Sequence, residues 1–520
     1  MTVNAIVDAA ALDELFARYD RTDAPGFAVG VALSGTPRYR RGVGMASIEL
    51  PVALSPSIRM RIGSTSKHFC VLAVMLLQEQ GKLSIDDAPR KYLPELPAWA
   101  DDMTLRQLMS HTSGMLDSLD LVFASHGPGV SVPPRLQLDM LGALDSVNFA
   151  PGTDWNYNNG GYVLLSEIVE RLSGQDFGAF LKERIFEPVG MHDTQIRELD
   201  TDLVPNSATL HIPKPGGGYV RGIFGPAIKG EGGIVATVDD MLKWLRHMSA
   251  PVVGSPETWR AMRTPLTTHG YGLGLVMNEH RGQPTVHHAG GVVGGSSQMI
   301  KFVDHELDII VMTNGRSAVD LYSLVDAIAD RCLPGLPAAP RDFSGDLVLG
   351  TFYSRRTGRV LNFVGHEGRQ AVTMGGMALP ALRAADGSIS VPILPTDLII
   401  RPMTRSDSPV RAVEITEFGR TDRLERVEPM ANPDVAGIVG EYSSAGAGLT
   451  ASISLQADGA RMQLKCASGA VDYQLTCIGP ALWQASSTLP MPLGATLEMN
   501  GAGFQWTTGR TMRLPFERVK

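Results

Sequence analysis

The helical apolar spacing that recurs through the first two-thirds of the chain stops at "PGLPAAPRDFSG" (334–345) and does not return. That stretch has the proline-rich composition of a linker. Before it, strand-like and helix-like segments alternate; after it, short β-type runs are separated by Gly, Asp and Ser. A chain of 520 residues is too long for one ordinary core. The discontinuity therefore reads as the edge of a first domain, residues 1–335. Beyond the linker, Gly350-Thr351-Phe352-Tyr353 is echoed by Gly440-Glu441-Tyr442, and Glu425-Arg426-Val427 by Glu517-Arg518-Val519, at nearly one offset. Matching first and last strands predict two β modules, 345–430 and 434–520, each long enough for a small antiparallel barrel.

Within the first domain "GFAVGVALSG" (26–35) and "RYRRGVGMAS" (38–47) read as strands paired around a turn. "TLRQLMSHTSG" (104–114) and "NGGYVLLSEIVERLSG" (159–174) have helical apolar spacing and end in Gly. "VHHAGG" (286–291), "QMIKFVDHE" (298–306) and "DIIVMTNG" (308–315) look like consecutive strands, closed by a helix over 320–333. So hairpin-rich an order predicts an α+β fold, an antiparallel sheet flanked by helices.

A net charge of −8 without any basic block excludes a nucleic-acid partner. No run reaches the length of a membrane span. The first twenty residues carry acids where a signal peptide carries basic residues, so a soluble, cytoplasmic protein is expected. The four cysteines, Cys70, Cys332, Cys466 and Cys477, have no metal-ligand spacing. Cys466 and Cys477 could meet across neighbouring strands, but reduced thiols are the expected state in the cytoplasm.

"RIGSTSKHFCVLAVMLLQEQG" (61–81) places Ser64 and Lys67 three residues apart at the mouth of an apolar helix. A helix N-terminus favours developing negative charge. Serine needs a neighbouring base, and a lysine whose charged form is disfavoured by burial can serve as one. Alone, the pattern is better read as an N-cap serine and a solvated first-turn lysine.

Two further clusters change the weighing. Tyr157-Asn158-Asn159 stands immediately before a helix, and His288-Ala289-Gly290 lies on an expected strand. S-x-x-K, Y-x-N and H-x-G in this order resemble the penicillin-recognising serine hydrolases, nearest to the class C β-lactamase, esterase and D-aminopeptidase group. "LRQLMSHTSGM" (105–115), "IFEPVGMHDT" (185–194), "EGGIVATVDDMLKW" (231–244) and "GYGLGL" (270–275) strengthen the resemblance. Rival registers exist: Ser146-Val147-Asn148 for the second motif, His287 for the third, and a second H-x-G at His366-Glu367-Gly368.

The resemblance implies a β-lactamase/transpeptidase-like domain and acyl transfer through an ester on Ser64, with Tyr157 or Lys67 carrying the proton. It places the oxyanion between the N–H groups of Ser64 and Gly291. Asn159, His288 and Gly290 then border the substrate. It calls for no metal or organic cofactor. Its partner is a small peptide, amide or ester, and a homodimer is left open.

Glu231 and the paired β modules lean toward the three-domain D-aminopeptidases. There, an acid near the nucleophile attracts the substrate's free amine. The neutral alternative is that Glu231 pairs with Lys229 or solvent. "SSTLPMPLGAT" (486–496) is the candidate loop from the last module toward the pocket. An esterase, a lactamase-like or D,D-carboxypeptidase-type hydrolase, and a non-catalytic penicillin-binding sensor are the alternatives.

Overall fold

The computed structural model describes residues 5–519 apart from 215, 269, 316–320, 339–346, 367–368, 375–376, 392–397, 404–408, 418, 431–432 and 490–492. It divides into two compact units. One holds residues 1–93, 104–110 and 162–339; the other holds 94–103, 111–161 and 340–520.

The first unit is built on six antiparallel strands: β1 (Phe27–Leu33), β2 (Thr36–Val43), β3 (Val276–His280), β4 (Gln283–Val292), β5 (Gly295–Phe302) and β6 (Leu307–Thr313), in the order β3-β4-β5-β6-β1-β2. Strand alternation sorts β1 into two faces. Phe27, Val29 and Val31 join one core cluster with Leu12 and Phe16 of helix α1 (Ala9–Phe16) and with Leu324, Val325 and Ile328 of the closing helix (Leu321–Cys332). The opposite face of β1 presents only Ala28, Gly30 and Ala32. There the helix Val238–Ser249 approaches so closely that a Cβ on Gly30 would lie 2.6 Å from Val238 Cγ1. Its start is capped by Thr237, whose Oγ1 accepts the Asp240 N–H at 3.2 Å.

That helix also buries the one that follows the S-x-x-K turn. His68 stacks on Trp244 at 5.3 Å and 13°, and Phe69 meets the same indole at 4.0 Å. His68 is wholly buried, and neither ring nitrogen has a hydrogen-bond partner among the described residues. It is a core ring stacked on a core ring.

In the second unit, nine strands between Gly350 and Val427 form one sheet. Its two edge strands, Met377–Pro380 and Leu382–Arg383, are separated only by Ala381, so the sheet curls into a nearly closed barrel. Eight strands from Gly440 to Arg518 form a closed barrel. Each module pairs its first strand with its last in the same register: Phe352 with Arg426, Tyr442 with Arg518. Each of these arginines also lies over the aromatic ring it faces, at 5.2 and 5.6 Å. The echoed motifs are thus equivalent strands of two modules. All four cysteines are free thiols. No described helix is long and apolar enough to cross a membrane.

The buried histidines set an acid limit on stability. Burial holds His68 well below its ordinary value; burial and then Arg263 push His247 down to about 4. The unfolded chain takes up these protons below pH 6.5 and the folded chain does not, so stability falls as pH drops from 6.5 toward 4. The slope approaches about 1.4 kcal/mol per pH unit for each residue. Denaturant melts between pH 7 and 5 should show this slope, and His247→Gln should flatten it. An unchanged slope in His247→Gln contradicts the assignment.

Candidate active site

The turn that carries Ser64 is fixed from both sides. Met60–Arg61 pairs with Ile234–Ala236, and the Ile62 N–H extends this pairing to Ile234 O at 3.1 Å. Residues Gly63–Ser66 then form a 3₁₀ turn, and the α-helix begins only at Lys67. The expected α-helical start at Ser64 is thus tighter than anticipated. In 3₁₀ geometry residues three apart eclipse one another, which stacks Lys67 beneath Ser64.

The neighbouring hydroxyls are spent on anchoring. Ser297 Oγ donates to Ile62 O at 2.7 Å and meets Thr65 Oγ1 at 2.9 Å; Ser66 Oγ accepts the Ile234 N–H at 3.2 Å. Of residues 61–70 only Ser64 is not buried.

Lys67 is fully buried. Its Nζ donates to Ser64 Oγ at 3.2 Å and to the Glu231 carbonyl at 2.7 Å, and lies 5.0 Å over the Tyr162 ring. These contacts hold the amine within proton-transfer reach of the hydroxyl. Glu231 is buried as well, and its carboxylate accepts the Lys229 N–H at 3.0 Å. The Lys229 ammonium goes instead to Glu170 at 2.6 Å and Glu198 at 3.5 Å.

His288 and His287 alternate across β4, as expected of adjacent strand residues. His287 meets Asn278 Oδ1 at 3.1 Å, whereas His288 Nδ1 donates to Ala289 O at 2.6 Å. That fixes the tautomer, leaving Nε2 to accept from the Tyr271 hydroxyl at 3.2 Å. Burial first, then the charge of Lys67, pushes His288 down to about 3, so it is a neutral ring. Tyr271 belongs to the "GYGLGL" stretch and accounts for that motif.

Gly290 is dictated by proximity: a Cβ there would lie 1.8 Å from the Ile62 carbonyl. The register of β3 on β4 ends at Val276 with His287, so among the described strands none pairs with β4 beyond it on that edge, and Gly291 is exposed.

The second unit assembles the tyrosine group. The helix expected over 104–114 stops at Met109, because His111 takes a left-handed φ of 62°. The loop after it brings the His111 ring to 4.2 Å from that of Tyr157, and His111 Nδ1 accepts the Asn158 N–H at 3.1 Å. Asp117, wholly buried, accepts both the backbone and the side-chain N–H of Asn159, at 3.2 and 3.1 Å. It also caps the helix Ser118–His126. Asn158 donates to Met115 O at 2.5 Å and accepts the Gly161 N–H at 2.8 Å, opening the helix Gly160–Ser173.

Asn148, in the rival S-x-N register, is committed elsewhere in this unit. Its side chain accepts the Met512 N–H and donates to Arg510 O, both at 2.8 Å. Of the rival H-x-G, Glu367 and Gly368 lie outside the described residues. So do residues 490–492 of the 486–496 loop; its Leu489 packs at Gly127.

Sequence reasoning missed His111, Asp117 and Arg510. The first two sit in or beside "LRQLMSHTSGM", where an Asp two residues past the motif and just before an apolar helix was the available signal.

Fold and nucleophile geometry define a serine hydrolase of the β-lactamase/transpeptidase type. Residues 12–331 match the family model described as Beta-lactamase, and the chain belongs to that family. It is 27% identical over 353 residues to penicillin-binding protein 4* of Bacillus subtilis (strain 168), covering 64% of this chain and 78% of the relative. It is 31% identical over 304 residues to the D-aminopeptidase of Brucella anthropi, where the match spans 56% of each protein. The D-aminopeptidase of Gluconobacter oxydans is 26% identical over 451 residues, 83% of this chain and 81% of the relative. Among solved structures, the octameric penicillin-binding protein homologue from Pyrococcus abyssi superposes with a TM-score of 0.56 at 17% identity, over 96% of this chain and 98% of its own. At that identity the likeness shows the fold.

Gly290→Ala should separate β4 from the nucleophile turn. About 1–3 kcal/mol of overpacking is expected, with acylation by p-nitrophenyl acetate slowed about a hundredfold. A thermal melt and a burst assay check both; an unchanged burst rate would rule out the close approach as a constraint.

Proposed function

We propose that this chain is a serine aminopeptidase or amidase that releases a small N-terminal residue, of D configuration, from short peptides or amides. The observation that carries the reading is the buried Lys67 amine, 3.2 Å from Ser64 Oγ and oriented by the Glu231 carbonyl. Ser64 attacks the substrate carbonyl, and its proton passes through Lys67 or Tyr157 to the departing amine. The tetrahedral oxyanion is received by the N–H groups of Ser64 and Gly291. Water then releases the acyl group from Ser64. In this reading Asn159 and the neutral His288 border the substrate, and Gly290 lets β4 approach the nucleophile.

The Glu231 carboxylate belongs to the residue whose carbonyl orients Lys67, and in this reading it receives the substrate's ammonium. Two relatives bear the name D-aminopeptidase, which supports the amine-bearing D-substrate class. The two β modules after the catalytic segment support the same subgroup.

D-Alanine p-nitroanilide, its L-enantiomer and its N-acetyl derivative separate the possibilities. Release of p-nitroaniline from the free-amine D-substrate is expected, with at least about a hundredfold loss on acetylation and none remaining above background in Ser64→Ala. Equal turnover of acetylated and free substrates would remove Glu231 from amine recognition and favour an esterase or longer-peptide hydrolase. Full activity in Ser64→Ala would remove the serine mechanism altogether.

A further inference from the structure

The turn between the barrel's last two strands, Gly503–Thr507 and Leu514–Arg518, is tied to the segment that carries Y-x-N. The Arg510 carbonyl accepts from Asn148 Nδ2 and Asn156 Nδ2, both at 2.8 Å, and the Met512 N–H reaches Asn148 Oδ1. Thr511 Oγ1 donates to Asp120 Oδ2 at 2.6 Å, and Thr508 Oγ1 donates to the same oxygen. These bonds fix the backbone of residue 510, and hence the origin of its side chain. The guanidinium carbon lies 5.1 Å from the Tyr157 ring centre, and NH1 is 3.3 Å from Asp117 Oδ2. That carboxylate oxygen is the one that holds Asn159.

We propose that Arg510 is a positioning residue for the reaction. It holds a positive charge against the Tyr157 ring and, through Asp117, orients Asn159, so that the last barrel completes the tyrosine group. The proposal rests on the reading of Tyr157 as a proton carrier. A tyrosine that takes the Ser64 proton and returns it to the leaving amine must pass through its phenolate, which needs a nearby positive charge. His111 is neutral, since its Nδ1 accepts an N–H. Of the charged groups gathered here among the described residues of the second unit, Asp117 and Asp120 are acids and Arg510 is the cation on the ring. A guanidinium keeps that charge at every working pH.

A double-mutant cycle with p-nitrophenyl acetate tests this, using Arg510→Gln, Arg510→Lys and Tyr157→Phe in the full chain. The ester has no amine, so the result is independent of amine recognition. Arg510→Gln is expected to lower kcat/KM about ten- to a hundredfold and to move the acid limb of its pH profile about one unit alkaline. Arg510→Lys should restore most of both. In the Tyr157→Phe background Arg510→Gln should add no more than about twofold.

Equal losses in both backgrounds, or an unmoved pH profile, would overturn the proposal and leave the arginine a structural tie. Full activity of Tyr157→Phe alone would overturn the proton-carrier reading and the proposal with it. Should Arg510→Gln fail to fold, Arg510→Met, which removes the charge and keeps an apolar stem, replaces it in the same cycle with the same expected outcomes.

Discussion

A buried lysine beside a partly exposed serine is the constraint around which this part of the first unit is built. Lys67 has no exposed surface, and an amine left without partners there would cost about 1–3 kcal/mol. Its protons are directed at Ser64 Oγ and the Glu231 carbonyl, so what makes the amine tolerable also aims it at the nucleophile. Both partners are rigidly held. Ser64 rides on a 3₁₀ turn pinned by Ser297 and Ile234, and Glu231 stands just before the strand Ile234–Ala236, which pairs with Met60–Arg61. Thr65, Ser66 and Ser297 anchor rather than react. That leaves Ser64 as the partly exposed hydroxyl of the turn.

The glycines and histidines follow from the same economy of space. Gly290 lets β4 touch the nucleophile turn, and Gly30 lets the helix Val238–Ser249 lie flat on the sheet. His288 is locked as a neutral ring by Ala289 O and Tyr271. His68, beside the reactive lysine in sequence, turns inward to stack on Trp244. Adjacent positions on one helix therefore divide between chemistry and core.

Much of this was legible in the sequence, where local pattern and physical cause coincide. Five of the sheet's six strands, the closing helix and the paired barrels announce themselves through alternation, turns and the echo of Gly350-Thr351-Phe352-Tyr353 in Gly440-Glu441-Tyr442, whereas the edge strand Val276–His280 does not. The contact between Ser64 and Lys67 was readable because they stand three residues apart at a helix mouth, though only Y-x-N and H-x-G gave that spacing weight. Asp117, His111 and Arg510 were not readable, for different reasons. Asp117 looks like any N-cap. His111 acquires its role from a left-handed φ that ends a helix earlier than apolar spacing predicts. Arg510 lies more than three hundred residues from Tyr157, on a turn whose only local signal is Thr and Gly. Such contacts are made by tertiary packing, and periodicity carries no trace of them.

The most direct test of the account is the rate at which Ser64 is acylated when only the buried amine is changed. Wild type and Lys67→Ala would be mixed with a fluorophosphonate probe and followed by intact mass and peptide mapping. The account predicts a single adduct on the peptide carrying Ser64, formed at least about a thousandfold more slowly in Lys67→Ala, with both proteins equally folded by circular dichroism. An adduct on another residue, or labelling of Ser64 at the same rate without Lys67, would contradict the claim that this lysine activates this serine.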